Sequence, residues 1–441
     1  MSVRTPNPPR LSALRREDGI TIIEVIVSAV LVVLVSLGVY AGIDGASATS
    51  GINKHRSVAT EIAQQDQDRM RSMTVTELSN YRDSQPTTIG GLTYTVVSRA
   101  DWVTDSTGSA TCTSGTAQAN YLRISSSVTW PNMRIKPITV ESVTAPPNGS
   151  FGSNQGSLAV QVRDRNGNPV QGATVTLTGP QGYTDVTNAS GCVLWGYLPA
   201  GNGYTVSVAK SGYVDPSGAT TPTKAAGVVG ESTSTIAFDY DVGGRIQGNY
   251  ETWNGSAAVA ANGLSYTASN PNLTVPLAPF GDGSPHTSFT TGLIYPFTVA
   301  YSVWAGSCAG ASPTVYSQTA QTALVTPGAI TAVQLREPPI NMKVIDSSLS
   351  PQPLNNVAVK FTPTASGCSV PVTRSTTNTG TGLLTDPAFP YGTYTFCVAV
   401  GGKIRTTTTT AAATLSNSTP TGITTANATV DMKSAPSGTC P

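Results

Sequence analysis

From Ile20 to Ile43 the chain runs through twenty-four residues with a single charged side chain, Glu24. Wound as an α-helix, that run rises roughly 36 Å, enough to cross a hydrocarbon core of about 30 Å. It therefore predicts a membrane-spanning segment. Glu24 does not fit a plain anchor. An acidic side chain at mid-bilayer depth costs about 2.5–3.5 kcal/mol on insertion scales. Four residues into the run, Glu24 lies near the head-groups, where the cost is smaller but a partner is still needed. The bland alternative is a carboxylate that merely snorkels to the interface.

The segment before the run carries Arg4, Arg10, Arg15 and Arg16 against Glu17 and Asp18, which predicts an inside N-terminus and an outside head. The junction reads Gly19, Ile20, Thr21, Ile22, Ile23, Glu24. It resembles the class III signal of type IV prepilins: a short basic leader ending in Gly, an aromatic or apolar residue, Thr, two apolar residues, Glu and a long apolar helix. The resemblance implies cleavage between Gly19 and Ile20 by a membrane prepilin peptidase, N-methylation of Ile20, and an assembly role for Glu24. Ile20 departs from the family, where Phe is commonest. Cleavage exposes an α-ammonium at Ile20, and Glu24 of one subunit can meet that ammonium on a neighbour. Attraction is strong in an apolar sheath, but desolvation offsets much of it, so setting register is the expected role. Two alternatives stay open: an ordinary secretory signal cut near Ala41-Gly42, Gly45 or Ala46, and an uncleaved single-span anchor.

The 441 residues have room for three or four domains. Charged residues make up only 11%, and the formal net charge is +1, which leaves no electrostatic footprint for nucleic acid. Low charge with abundant Thr, Val and Tyr suits all-β modules outside the cell. Six cysteines, Cys112, Cys192, Cys308, Cys368, Cys397 and Cys440, all follow the apolar run, and an even number in an exported region predicts disulfides. No C-x-x-C occurs, which argues against a zinc knuckle or a thioredoxin-like site.

After Ile43 the helical pattern continues in polar form from Lys54 to Met73, with Val58, Ile62, Met70 and Met73 on one stripe. Gly45 and Gly51 weaken it and predict a bend or local melt between the halves. A small sheet is expected from about Ile89 to Thr144, built on Leu92, Tyr94, Val96, Leu122, Ile124, Val128, Ile138 and Val140. A linker follows. Then Leu158, Val160 and Val162 alternate up to Asp164, followed by Pro169-Val-x-Gly-Ala, Thr187-Asn-x-x-Gly191 and Pro199-x-Gly-x-x-Tyr204. These pieces resemble the transthyretin-like sandwich of carboxypeptidase regulatory domains and collagen-adhesin B repeats, which implies a seven-stranded Greek-key scaffold with no chemistry of its own. A cousin recurs as Pro353-Leu-Asn-Asn-Val357, a turn at Asn378-Thr-Gly380, and Pro390-Tyr-Gly-Thr-Tyr394. Between the two, Val242, Ile246 and Tyr250 suggest one strand, Val299, Tyr301 and Val303 another, and Ala329 to Leu335 a third. Thr424 to Met432 alternates too weakly to choose between strand and coil.

The chain thus reads as an α+β protein: a long N-terminal transmembrane and stalk helix with a small pilin β-sheet head, then mostly all-β Greek-key sandwich domains. Its parts are a leader (1–19), a membrane and stalk helix (20–75), a pilin-like head (76–146), a sandwich (156–238), a β domain of open type (239–338), a second sandwich (339–433) and a tail (434–441). Cys368 and Cys397 fall within one predicted sandwich and form the expected disulfide. The two histidines, His55 and His286, have no nucleophile or orienting partner around them in sequence. Asp164-Arg-Asn-Gly-Asn168 opens like a calcium loop but carries Pro169 where Gly is needed and Val175 where the bidentate Glu belongs. A β-turn is the expected outcome. No catalytic, metal or cofactor site is expected. The best reading is a minor pilin-like subunit of a type IV pilus or related filament, with other pilin subunits, the prepilin peptidase, the assembly platform and the membrane as partners. It starts as a single-pass precursor in the cytoplasmic membrane and ends at the cell surface. The alternatives are a pseudopilin of a secretion or DNA-uptake machine and a non-polymerising membrane-anchored adhesin.

Overall fold

The computed structural model describes residues 22–103, 112, 121–133, 135–145, 152–253, 257–261, 265–273, 286–306, 309–316, 320–338, 340–350, 352–364, 368, 371–384, 390–411 and 426–440. The fold is α+β, with one long N-terminal helix followed by strands in several sheets. Two compact units emerge: Met1–Thr74 with Tyr81–Ala100 and Ile124–Thr144, and Val75–Asn80 with Asp101–Arg123 and Ala145–Pro441. The expected head at 76–146 is therefore divided between them.

In the first unit, helix α1 (Ile22–Arg71) is continuous. The local melt expected at Gly45 and Gly51 does not occur. Nothing lies within 4 Å of a Cβ placed at either glycine. An exposed helical glycine costs about 1 kcal/mol, which weakens a helix without breaking it. The C-terminal part of α1 packs Ala59, Ile62 and Ala63 onto Tyr94, Val96 and Val128, with Trp130, Ile138 and Val140 at the margin. The receiving sheet has the order β1 (Arg82–Ile89), β2 (Leu92–Val103), β3 (Tyr121–Thr129), β4 (Ile138–Thr144). Strand β1 lies ahead of the expected start at Ile89. It is a polar edge strand, and Pro86 is tolerated because an edge position needs no ladder donor there. Gly90 and Gly91, both at positive φ, make the tight turn into β2.

The second unit opens with a seven-stranded sandwich. Its strands are β5 (Gln155–Arg163), β6 (Thr174–Thr178), β7 (Tyr183–Val186), β8 (Cys192–Pro199), β9 (Gly201–Ala209), β11 (Thr223–Val228) and β12 (Thr233–Asp239), with the short β10 (Tyr213–Val214) outside the two sheets. The sheets are β11-β9-β6-β7 and β12-β5-β8. Leu158, Val160, Val162, Val175, Leu177, Trp195, Tyr204 and Val206 fill the space between them. The outward face of β5 and β8 is covered as well. Ser157, Ala159, Cys192 and Leu194 are all buried. The Trp102 ring lies on Gly196, where a Cβ would stand 2.5 Å from the Trp102 Cε2 atom. Trp102 Nε1 donates to Ser79 Oγ at 3.2 Å, and Ser79 Oγ donates to the Gly196 carbonyl at 3.2 Å. Beside this clamp Cys112 is disulfide-bonded to Cys192.

Next comes a sheet in which Arg245–Trp253 pairs with Ala258–Ala260, Ser288–Thr290 and, in parallel, Ile330–Arg336. A second sheet joins Tyr266–Ser269, Tyr301–Ala305 and Gln321–Ala323. Ile246, Tyr250, Tyr301 and Val303 lie in its core. Val242 instead belongs to a two-residue strand paired with β10, and Val299 is exposed ahead of its strand.

The last sandwich repeats the first in atomic detail. Thr187 Oγ1 donates to the Val170 carbonyl and accepts from Ala173 N; Thr376 Oγ1 donates to the Leu354 carbonyl and accepts from Val357 N. Tyr204 donates its hydroxyl to the Pro199 carbonyl and Tyr394 its own to the Pro390 carbonyl, each at 2.9 Å. The turn glycine is Gly382, not the expected Gly380. Val162 N donates to the Gly191 carbonyl and Val344 N to the Gly382 carbonyl, both at 2.8 Å. A Cβ at either Gly191 or Gly382 would sit 2.4 Å from a strand carbonyl. The ambiguous 424–432 stretch resolves as Ala426–Asp431, a strand parallel to Ile340–Ile345.

The expected Cys368–Cys397 disulfide is not formed. Cys397 is bonded to Cys440. The chain after Met432 folds back along the Gly401-Gly402 turn: Ile404 N donates to the Pro436 carbonyl and Gly438 N to the Gly402 carbonyl. That return carries Cys440 to the face of Gly392–Val400 opposite Phe396. Cys368 is disulfide-bonded too and packs against Trp304 and Ala311 of the preceding module.

The two candidate turn glycines give different stability costs. Gly382→Ala should cost about 2–4 kcal/mol, combining the positive-φ penalty with a clash into the Val344 carbonyl. Gly380→Ala, with positive φ but open space, should cost about 1–2 kcal/mol. Urea unfolding of each variant, followed by amide exchange within 340–345, checks the difference.

Candidate functional site

The N-terminal part of α1 has no covering surface among the described residues. Ile22, Ile23, Val25, Ile26, Val30, Leu31, Val33, Leu34, Leu37, Tyr40 and Ile43 are all exposed, Ile22 by 79% and Leu34 by 58%. They point to every side of the helix rather than to one stripe. A helix apolar all round is stable only inside an apolar medium or an assembly of apolar neighbours. Glu24 is exposed in the first turn, where the positive end of the helix dipole favours a carboxylate. Gly19, Ile20 and Thr21 lie outside the described residues, so the expected cleavage and methylation positions carry no geometry. By length and composition α1 is the one described helix able to cross a membrane.

The other end of α1 is fixed by a buried polar knot. Asp66 Oδ2 accepts from Ser98 Oγ at 2.7 Å and from Ser126 Oγ at 2.6 Å, while Arg69 Nη2 reaches Asp66 Oδ1 at 2.7 Å. Gln67 Nε2 donates to the Ile124 and Val140 carbonyls, and Ser142 Oγ donates to Gln67 Oε1. Burial alone would push the Asp66 carboxyl up. The hydrogen bonds from Ser126 and Ser98, with Arg69 beside them, outweigh it and hold the group below the usual carboxylate range. Sequence reasoning gave 54–73 as an amphipathic stripe and missed this knot. Asp and Gln at consecutive positions on the buried face interrupt the apolar pattern and were the available signal.

The remaining candidates are structural. His55 Nδ1 lies 2.9 Å from the Tyr94 hydroxyl, with its ring against Tyr94 and Trp130. His286 is exposed. The Asp164 carboxylate accepts from Asn166 N, Asn168 N and Asn168 Nδ2, so its own turn occupies it. These bonds hold the Asp164 carboxyl down against the opposing effect of burial. No cluster of three His, Cys, Asp or Glu able to hold a metal occurs among the described residues. A groove of about 440 Å³ is lined by Arg163, Asp164, Arg165, Asp239, Tyr295 and Phe297. Its charges are largely engaged: Arg163 with Asp239, and Arg165 Nη1 with the Pro296 and Val325 carbonyls.

The chain matches no protein-family model and no curated protein. Among solved structures it is similar to the Bacillus anthracis TIE protein, at 12% identity and a TM-score of 0.20, over 80% of this chain and 74% of that one. It is also similar to GBS52, the minor pilin of Streptococcus agalactiae, at 14% identity and a TM-score of 0.21, over 41% and 94%. A third is BcpA, the major pilin subunit of Bacillus cereus, at 12% identity and a TM-score of 0.18, over 63% and 99%. Scores of this size do not establish a common fold.

The knot at Asp66 makes the attachment of α1 to its sheet pH-dependent. Because the folded-state carboxyl is depressed, its contribution is present above the unfolded value of about 3.9 and is lost as pH falls through the lower folded value. Asp66→Asn should cost about 1–3 kcal/mol at neutral pH and flatten the loss below about pH 4. Amide exchange across 59–70 as a function of pH reads both effects.

Proposed function

We propose that this chain is a minor pilin-like subunit of a type IV pilus or related filament, held in the membrane by α1 and displaying β-sandwiches outside the cell. The carrying observation is the exposed N-terminal part of α1, apolar on every side, with Glu24 in its first turn. Lipid covers that surface before assembly, and the stems of neighbouring subunits cover it afterwards. Cleavage between Gly19 and Ile20 by a prepilin peptidase frees the amine that Glu24 of an adjoining subunit meets, and Ile20 carries the methyl group. The role is structural rather than enzymatic.

A bare helix is about 10–12 Å across with its side chains, whereas the residues beyond α1 number over three hundred. Heads of that bulk would crowd a thin fibre at every position, so placement is sparse or at the tip. The same bulk favours display over the piston role of a pseudopilin.

N-terminal mass spectrometry of the mature protein should find Ile20 first and methylated. Glu24→Val should abolish recovery in sheared filaments while leaving the protein in the membrane fraction. Mature protein that keeps its arginine-bearing leader, or a variant that still enters filaments, would make the molecule a tethered adhesin instead.

A further inference from the structure

Cys112 and Cys192 are joined across a sequence separation of 80, which leaves 79 residues inside the loop they close. That loop contains β3, β4, the stretch leading into the sandwich, and β5 to β7. The covalent through-route runs along α1, β1 and β2 to Cys112, crosses to Cys192, and continues through β8. We propose that this disulfide is a mechanical shortcut. When the chain is pulled between its stem helix and its distal modules, the covalent path crosses from Cys112 to Cys192 through the sulfur atoms, and the backbone of residues 113–191 lies off that path.

The site is built to keep the bond. Cys112 is 5% exposed and Cys192 2%. Gly196 on the outward face of β8 leaves room for the Trp102 ring to lie flush on the sheet. Cys112 Sγ is 3.3 Å from the Val160 carbonyl oxygen, and the Trp102–Ser79–Gly196 clamp lies alongside. Reductants therefore have little access.

The shortcut also changes which contacts a pull would strain. Without it, tension would enter β5 at Gln155 and leave β12 at Asp239. Those strands are parallel, and their seven pairs from Ser157↔Thr233 to Arg163↔Asp239 would shear together. With it, tension enters at Cys192, opposite Gln161, and leaves at Asp239, opposite Arg163. Entry and exit then lie at one end of the three-stranded sheet, two strands and roughly 10 Å apart. The β5–β12 ladder is then loaded from its Arg163–Asp239 end, one pair at a time, instead of in shear along all seven pairs. The use of this path in a displayed head rests on the function proposed above; the path itself does not.

The test is single-molecule pulling on the full-length protein, with handles at the start of α1 and at the C-terminus, after non-reducing peptide mapping of the disulfides. The double variant Cys112→Ser, Cys192→Ser should extend further than the parent by about 79 residues, roughly 270 Å at ~3.4 Å per residue. Cys397→Ser with Cys440→Ser should instead add its own 42-residue loop, from a separation of 43. Full extension is fixed by covalent connectivity, so the readout holds even if a variant folds poorly. Equal extension of parent and first variant, or a mapped partner for Cys112 other than Cys192, overturns the proposal. Neither result depends on whether the leader is cleaved.

Discussion

An apolar helix that the described residues leave uncovered is the constraint on which the rest of this molecule depends. Ile22 to Ile43 cannot stand in water, because each exposed branched side chain costs about 1.5–3 kcal/mol relative to a buried one. By length and composition it is what a membrane anchor or a signal sequence presents. The C-terminal part of the same helix faces the opposite demand. It holds a sheet, and it does so with a narrow apolar stripe plus the Asp66–Gln67 knot. One continuous element of 50 residues thus joins an apolar surface to a sheet-packing one. Gly45 and Gly51 fall between the two regimes, where a Cβ would meet nothing within 4 Å.

Much of this was legible in the sequence because it rests on period and local chemistry. Strand alternation at Leu158, Val160 and Val162, and the turns at Asp164 and Gly191, are properties of a few consecutive residues. What escaped was set at a distance. Strand β1 is polar and carries Pro86, so only its neighbour β2 makes it a strand. Both faces of β5 and β8 are buried because Trp102 and Cys112 come from far along the chain, and nothing in Ser157 or Ala159 announces that. The disulfide of Cys397 failed for the same reason. Its partner arrives on a tail whose return is fixed by backbone bonds to Gly402 and Ile404. Gly380 and Gly382 both have positive φ, and only the approach of the Val344 carbonyl tells which is indispensable.

The middle module was hardest to read because its strands are short and interrupted, yet it obeys the same closing rule as its neighbours. In each of the three, the first strand pairs in parallel with the last: Ser157–Arg163 with Thr233–Asp239, Arg245–Glu251 with Ile330–Arg336, Ile340–Ile345 with Ala426–Asp431. Parallel pairing forces a long path between the two strands, which the remaining strands supply. It also makes the chain enter a module at one end and leave at the other.

That closing rule explains why the connectors can be so short. Asp239 is followed within six residues by Arg245, and Arg336 within four by Ile340. Short connectors leave little room for a hinge, and the junctions are packed rather than linked. Val214 of the first sandwich belongs to the core of the second module. Arg165 donates across the same junction to the Pro296 and Val325 carbonyls. At the next junction a Cβ on Gly306 would come within 3.2 Å of Pro390, and Cys368 packs on Trp304. Among the described residues, modules joined in this way have no flexible spacer between them, so little conformational entropy separates one module's position from the next.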